Sequence, residues 1–321
     1  PSDGPAYKFN LFKNIFINKL IDININDPIH VYKIFNSIKT IFVQSDDLGS
    51  YNSILSAINC AIWDLFSKNK KKPLNKFINT KSSNDINTYA SGINSNDAIN
   101  TIKKARISGF NSFKVKIGLN NNLDLKLIAK IFKSKLPNEK IMLDVNQGWE
   151  NKNALSYLIK IKKHPIYWLE EPISALSKNQ VYLKLINSSP VNIALGENIY
   201  EEDTFDLLIK NKNLNFLQPD ITKYGGISLP IKYMNTKNIN KVFLHFLGSG
   251  VGLMTSAHVM SAINANGLLE TDFNVNPLRD LIFKEPLKII GGKIKLNSKP
   301  GIGFTLNKNT IHKYLKNQFV K

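Results

Sequence analysis

A parallel (β/α)8 barrel, preceded by an apparently incomplete α+β capping segment, is the fold class this sequence predicts. Three observations predict it. From about residue 86 onward, short apolar runs alternate with helix-length amphipathic segments eight times. From the second run onward an ionisable residue stands at the end of each, and these residues recur every 23 to 28 positions, about the length of one βα unit. The first 85 residues show no such alternation.

Taken in order, 29–42 and 51–67 read as helices, the second with Ala57, Cys60, Ala61, Trp63 and Leu65 as packing residues. Strands are expected at 87–90, 112–117, 140–145, 166–169, 191–195, 214–217, 241–245 and 267–270. Helices fall between them, for example at 97–108, 123–135, 153–163 and 201–210. Leu125, Ile128, Ala129 and Phe132 recur at helical spacing, and Gly109 ends the helix before the second strand. The expected division is a partial, mainly helical cap over 1–85, a barrel over 86–285, and a segment over 286–321 that returns to the cap, with a turn at 300–303.

Composition bounds the function. The 321 residues are 43% hydrophobic and 21% charged, as in soluble globular chains. A single cysteine, Cys60, excludes an intramolecular disulfide framework and a cysteine-based zinc site. The net charge of +19 comes mostly from lysines scattered along the chain, with no basic face interleaved by aromatics. A solvated surface is expected rather than a nucleic-acid partner. Residues 242–269 contain no Asp, Glu, Lys or Arg. They also hold His245, His258, Asn264, Asn266 and four glycines, so they read as a buried strand, helix and strand rather than a membrane span. No signal peptide is visible, so a cytoplasmic location is expected. The chain starts at Pro1, and the cap is read as truncated or built in another way.

The strand ends carry the chemistry. Lys114 and Lys116 close the second strand, followed on successive strands by Asp144, Glu170, Glu197, Asp220, His245 and Glu270. At the C-terminal mouth of a barrel these groups face one axis, where barrel enzymes place their sites. A carboxylate ending a single strand is usually a helix cap or a rim charge. Ionisable groups on seven successive strand ends point instead to a shared site. Clustered carboxylates repel unless cations sit among them. Oxygen ligands without cysteine or paired histidines favour one Mg²⁺, with Mn²⁺ as a substitute, and Asp144, Glu170 and Glu197 lie on three adjacent strands.

These stretches resemble a known family. Lys114-Val-Lys116, Leu143-Asp-Val-Asn-Gln-Gly-Trp149, Trp168-Leu-Glu-Glu-Pro172, Leu195-Gly-Glu-Asn198, Gln218-Pro-Asp220 with Gly225-Gly226, His245 and Leu269-Glu270 are similar to the motifs of the enolase superfamily, in its mandelate racemase-like subgroup (the mandelate racemase/muconate lactonizing enzyme family). Ser56–Leu65 resembles the helix that precedes the barrel in that family. The resemblance implies Asp144, Glu170 and Glu197 as metal ligands, with Glu171 supporting them. It implies Lys116 and His245 as bases on opposite faces of the substrate, with Asp220 orienting His245. It also implies that Lys114 and Glu270 contact the substrate carboxylate and Asn146 the substrate, with a protonated Glu270 and Lys114 meeting the growing charge. Physical logic agrees: removing a proton α to a carboxylate creates a dianion, and cations must stand where that charge develops. Lys116 must be neutral to act as a base, which a neighbouring ammonium and a divalent cation favour.

Two bases permit dehydration of an acid sugar or similar hydroxy acid, with His245 protonating the leaving hydroxyl; racemisation or epimerisation of a 2-hydroxy acid is the alternative. A catalytically silent, basic anion-binding or nucleic-acid-binding barrel is the reading from another class. A small carboxylate substrate and a homo-oligomer are the expected partners, with no membrane. His164 and His258 read as surface or packing histidines, and Lys223 as a loop cation near the site. Gly248-Ser-Gly-Val-Gly252 lacks the βαβ context of a dinucleotide loop and reads as a turn or an anion seat at a helix start.

Overall fold

The computed structural model describes residues 4–118, 121–264 and 266–314. Helices come first: α1 (Gly4–Leu11), α2 (His30–Gln44), α3 (Leu48–Asn69) and α4 (Leu74–Ile78). Val31, Phe35, Ile38 and Phe42 recur at helical spacing on α2 and are buried. Asp47 starts α3 by accepting the Ser50 backbone N–H at 3.3 Å. The Phe16 ring lies 5.0 Å from Phe35, 5.7 Å from Phe42 and 6.0 Å from Tyr51, which gives these helices an apolar core of their own. Among the described residues no strand precedes Asp85, so the strands of an α+β cap are not seen there.

The parallel strands follow: β1 (Asp85–Ile93), β2 (Ser112–Lys116), β3 (Lys140–Asp144), β4 (Trp168–Glu170), β5 (Ile193–Leu195), β6 (Phe216–Leu217) and β7 (Leu268–Asp272). They pair in the order β6-β5-β4-β3-β2-β1, with β7 on the other side of β1. Intervening helices include α5 (Ala98–Ile107), α6 (Asn121–Ser134), α7 (Asn151–Ile161), α8 (Asn179–Ser188) and α9 (Glu202–Lys210), and α10 (Ser228–Lys232) comes after β6. The register aligns the strand ends: Lys116 pairs with Asp144, and Asp144 with Glu170. Side chains in register on neighbouring strands leave the sheet on the same face. These three therefore form one layer at the strand ends.

The expected strand at 241–245 is the departure. Lys241 ends a 3-10 turn, and only Val242 forms a ladder bridge, to Leu217. The next residues still follow β6, with Phe243 N–H on the Leu217 carbonyl at 2.9 Å and His245 N–H on that of Pro219 at 3.2 Å. On the β7 side, side chains take the ladder's place. The Asn264 amide donates to the carbonyls of Asn240 and Val242, both at 3.1 Å, and Phe246 N–H goes to the Glu270 carboxylate at 3.2 Å. The barrel is thus complete in its staves but not in its hydrogen-bond ladder.

After β7 the chain forms a hairpin of β8 (Ile289–Ile290) and β9 (Lys293–Lys295), and β9 runs antiparallel to β1. Gly291 and Gly292, at φ 59° and 67°, make the turn, a conformation costly for other residues. The segment then reaches α3 and α4. Ile302 N–H meets Asp64 Oδ1 at 2.8 Å, and Leu74 N–H meets the Gly301 carbonyl at 2.8 Å. The charge-free stretch contains α11 (Gly250–Ile263). Among the described residues no helix is long and apolar enough to cross a membrane.

His258 on α11 is a packing residue, as expected. Its Nδ1 accepts the Asn75 N–H at 3.2 Å and its Nε2–H donates to the Ile302 carbonyl at 3.2 Å, so one ring joins three segments. Burial holds its pKa down at about 4. Because the folded value is depressed, the contribution is complete above pH 6.5 and is lost as pH falls towards about 4. Across that window His258 is expected to remove up to about 3 kcal/mol of stability. Urea denaturation at several pH values checks this: His258→Gln should lower stability at pH 7.5 and flatten its dependence between pH 6.5 and 4.

Candidate active site

The site grows from the alternation in β2. Val115 is buried on the helix-facing side, and Lys114 and Lys116 share the interior side. Lys114 is 2% exposed. Its ammonium lies 2.5 Å from Glu170 Oε1, 2.7 Å from Glu270 Oε1 and 3.8 Å from Asp144 Oδ2. Lys116, nearer the opening, donates to Asn146 Oδ1 at 2.6 Å. Asn146 itself is exposed, and its backbone N–H bonds Asp144 Oδ1 at 2.9 Å.

A second group closes the opposite side. His245 Nδ1 meets Asp220 Oδ2 at 3.0 Å, and Nε2 meets Glu197 Oε2 at 2.6 Å and Glu270 Oε2 at 3.5 Å. Thr222 fixes Asp220 with its backbone N–H at 2.7 Å and its hydroxyl at 2.6 Å, both on Oδ1. Lys223 stands 3.7 Å from Glu197 Oε1, as its position in the loop suggested. Every one of the strand-end residues singled out in the sequence is therefore in this cluster. His164 is outside it, stacked on Phe132 at 4.8 Å.

Electrostatics follow from burial and proximity. Burial pushes the Glu170 carboxyl up to about 8, against the Lys114 ammonium and with Asp144, Glu270 and Glu197 adding to the rise. Burial and the Glu197 charge push Glu171 up to about 7, although Asn198 donates to both its oxygens. Burial also raises Asp144, opposed by Lys114 and Lys116. Burial acts the same way on Glu197 and Asp220, but hydrogen bonds and charge from His245 outweigh it and hold both below the usual carboxylate range. For His245 burial disfavours the charge, yet Glu270, Asp220 and Glu197 together hold it well above the usual imidazole range. Lys114 is likewise held high against burial by Glu170 and Glu270.

Glu270, which the resemblance implies to be protonated beside the substrate, is held below the usual carboxylate range here. Burial favours the neutral acid, and the Lys114 and His245 charges with the Ser91 hydroxyl at 2.5 Å outweigh it. Three groups that support the site are not assigned by the sequence reasoning. Ser91 holds Glu270 from β1; the Trp168 indole N–H and the Gln218 amide donate to Glu170 Oε2 at 3.2 and 2.9 Å. Trp168 and Gln218 lie inside the motifs that carry the resemblance, whereas nothing distinguishes Ser91 from an ordinary strand serine.

The donor set can be tested for a metal ion. Asp144, Glu170 and Glu197 offer hard oxygen donors of the kind Mg²⁺ takes. Around Glu170 and Glu171 burial outweighs the positive charge at hand, so both rise well above ordinary carboxylates even with Lys114 and Lys223 in place. A divalent cation fits that deficit. The cations drawn up to these oxygens are Lys114, His245 and Lys223, and among the described residues no three acidic, histidine or cysteine groups are arranged as a ready coordination cage.

Fold and site together define a barrel of the enolase type, its ionisable groups gathered at the C-terminal strand ends. Residues 97–310 match the sequence family described as enolase C-terminal domain-like, and the chain belongs to the enolase superfamily, in its mandelate racemase-like subgroup. The D-galactarolactone cycloisomerase of Agrobacterium fabrum is 23% identical over 305 residues, covering 90% of this chain and 80% of that protein. The arabinonate dehydratase of Saccharolobus solfataricus is 27% identical over 270 residues, covering 81% and 71%. A solved structure of a mandelate racemase/muconate lactonizing enzyme from Bordetella bronchiseptica superposes with a TM-score of 0.90 at 27% identity, covering 98% of this chain and 88% of that one.

Lys114→Met should leave Glu170, Glu270 and Asp144 as uncompensated buried charge. Stability is expected to fall by about 3 kcal/mol or more, measured by chemical denaturation without added metal. An unchanged midpoint would refute this electrostatic role.

Proposed function

We propose that this chain is a Mg²⁺-dependent enzyme that abstracts the proton α to a carboxylate, and that it dehydrates an acid sugar or a similar hydroxy acid. The observation that carries the proposal is the joining of His245–Asp220 to Glu197 at one side of a mouth whose other side holds Lys116 in register with Asp144 and Glu170. The 27% identity to an arabinonate dehydratase supports dehydration over the other outcomes. We read the chain as a cytoplasmic homo-oligomer acting on a small molecule rather than on nucleic acid or at a membrane, with a partial cap over 1–85, a barrel over 86–285 and a returning segment over 286–321.

Asp144, Glu170 and Glu197 would hold the metal ion. When bound, the ion supplies positive charge beside the carboxylate oxygens of the substrate. Lys114 would neutralise the substrate carboxylate, and Glu270 in its protonated form would hydrogen-bond it as its charge grows. Lys116, as the neutral amine, takes the α-proton on one face, with Asn146 steering its Nζ. His245, its ring fixed by Asp220, faces the other side and delivers a proton to the departing hydroxyl. The same two groups on different strands also suit proton exchange between faces, which keeps racemisation or epimerisation as the second reading.

The test is incubation of a sugar-acid library with Mg²⁺ in D₂O. Formation of 2-keto acid supports dehydration, and α-deuteration without loss of water supports racemisation. Lys116→Ala and Glu197→Gln should each lose about 100-fold or more in turnover, and Asp144→Asn should lose Mg²⁺ binding by calorimetry. Anion binding that survives all three substitutions, with steep salt dependence and no turnover in the wild type, would replace the enzyme by a silent anion-binding barrel.

A further inference from the structure

Asn59 lies on α3 and is fully buried. Its carboxamide is directed at the loop that leaves β6. Nδ2 donates to Ser228 Oγ at 2.9 Å and to the Pro28 carbonyl at 3.1 Å, and Oδ1 accepts the Ser228 backbone N–H at 3.2 Å. Trp63, one helical turn further on, donates its indole N–H to the same Ser228 Oγ at 3.0 Å. Two more contacts join this loop to the helical cap: Cys60 Sγ on the Ile221 carbonyl at 3.7 Å, and the Tyr32 hydroxyl on the Gly225 carbonyl at 2.5 Å. Gly226 fits only as glycine. It has φ 56°, and a Cβ there would stand 2.3 Å from Asn59 Oδ1.

Residues 221–228 thus hang from α2 and α3 at several points, and Asp220 opens that span. Asp220 in turn bonds His245 Nδ1. A buried amide that satisfies both its donor and its acceptor fixes one geometry, because any other leaves a polar group unpaired. We infer that Asn59 is a positioning residue: through Ser228 and the Gly225–Gly226 turn it sets the loop that aims Asp220, and hence His245, at the mouth. The inference rests on the proposed function, since only a two-faced proton transfer makes the aim of His245 matter more than that of Lys116, which hangs on β2 and has no tie to this loop.

Two variants test it: Asn59→Ala, and the milder Ser228→Ala, which keeps the backbone geometry should the first fail to fold. Two readouts are needed. The first is α-proton exchange in D₂O on acids of either configuration at the α-carbon, which separates the His245 face from the Lys116 face. The second is the nuclear magnetic resonance signal of the His245 Nδ1 proton, which the bond to Asp220 moves downfield and which needs no turnover. Expected are a loss of about tenfold on the His245 face, a change within about twofold on the Lys116 face, and a KM within about twofold, together with a displaced or lost Nδ1 proton signal. In a His245→Gln background, Asn59→Ala should cost nothing further. Equal losses on both faces, or an unchanged proton signal in a folded variant, overturn the inference and leave Asn59 a packing residue. If the wild type neither exchanges an α-proton nor forms a 2-keto acid, the proposed function falls, and the proton signal alone then decides whether Asn59 positions the pair.

Discussion

Too many carboxylates in too little water is the constraint on which this molecule turns. Asp144, Glu170, Glu171, Asp220 and Glu270 are buried and Glu197 nearly so, while the buried cations facing them are Lys114 and His245. Charges removed from water are costly unless partners stand within bonding distance. Lys114 meets three of the acids and His245 meets three, and Glu270 is common to both sets. Even so the balance is incomplete. Burial pushes Glu170 up to about 8 in spite of Lys114. The packing below the site answers to this constraint. Trp168 and Gln218 donate to the free oxygen of Glu170, and Trp168 is itself locked by Tyr89, Phe216 and Phe243 rings within 6 Å.

The same constraint explains where the backbone is strained. Asn146, Gln147 and Glu171 hold φ of 46°, 64° and 39°. Such conformations cost non-glycine residues about 1 kcal/mol or more, and they persist only where the surroundings impose them. Here the surroundings are specific. Gln147 N–H bonds the Glu171 carbonyl at 2.7 Å, its side-chain oxygen accepts the Ala175 N–H at 2.7 Å, and Asn146 N–H caps Asp144. The loops after β3 and β4 are clasped to each other, so that two neighbouring carboxylates keep their places although they repel.

What the sequence revealed divides along physical lines. Strand ends were legible because an ionisable residue closing an apolar run contradicts burial, and the contradiction repeats once per βα unit. The helices of the cap were legible through spacing, although α3 runs from Leu48 to Asn69, beyond the expected 51–67. The seventh stave was half legible. Its apolar pattern was right, but the sequence carries no sign that Asn264 and Glu270 would take over its ladder bonds, because an amide and a carboxylate are satisfied by any nearby partner. The hydrogen bonding of Glu270 was hidden for a related reason. It depends on Ser91, which lies 179 positions away in the chain, and on Lys114 choosing Glu270 as well as Glu170.

A site that concentrates charge also requires a quiet background. Residues 242–269 contain no Asp, Glu, Lys or Arg, and α11 within them is buried almost end to end. This helix backs the seventh and eighth staves, from which His245 and Glu270 project. The histidine it does carry, His258, is kept neutral by burial, and Asn264 supplies hydrogen bonds without charge. Field lines between His245, Glu197 and Glu270 therefore cross protein rather than water or competing ions, and each interaction is stronger than it would be at the surface. The net charge of +19 lies largely on the outside, where it attracts anions, while the mouth itself is acidic. An anion drawn to such a surface is held only where cations face it, and at this mouth those include the lysines of β2 and the imidazole of the seventh stave. The lysine-rich exterior and the carboxylate-rich interior are thus parts of one arrangement, in which attraction is long-ranged and selection is local.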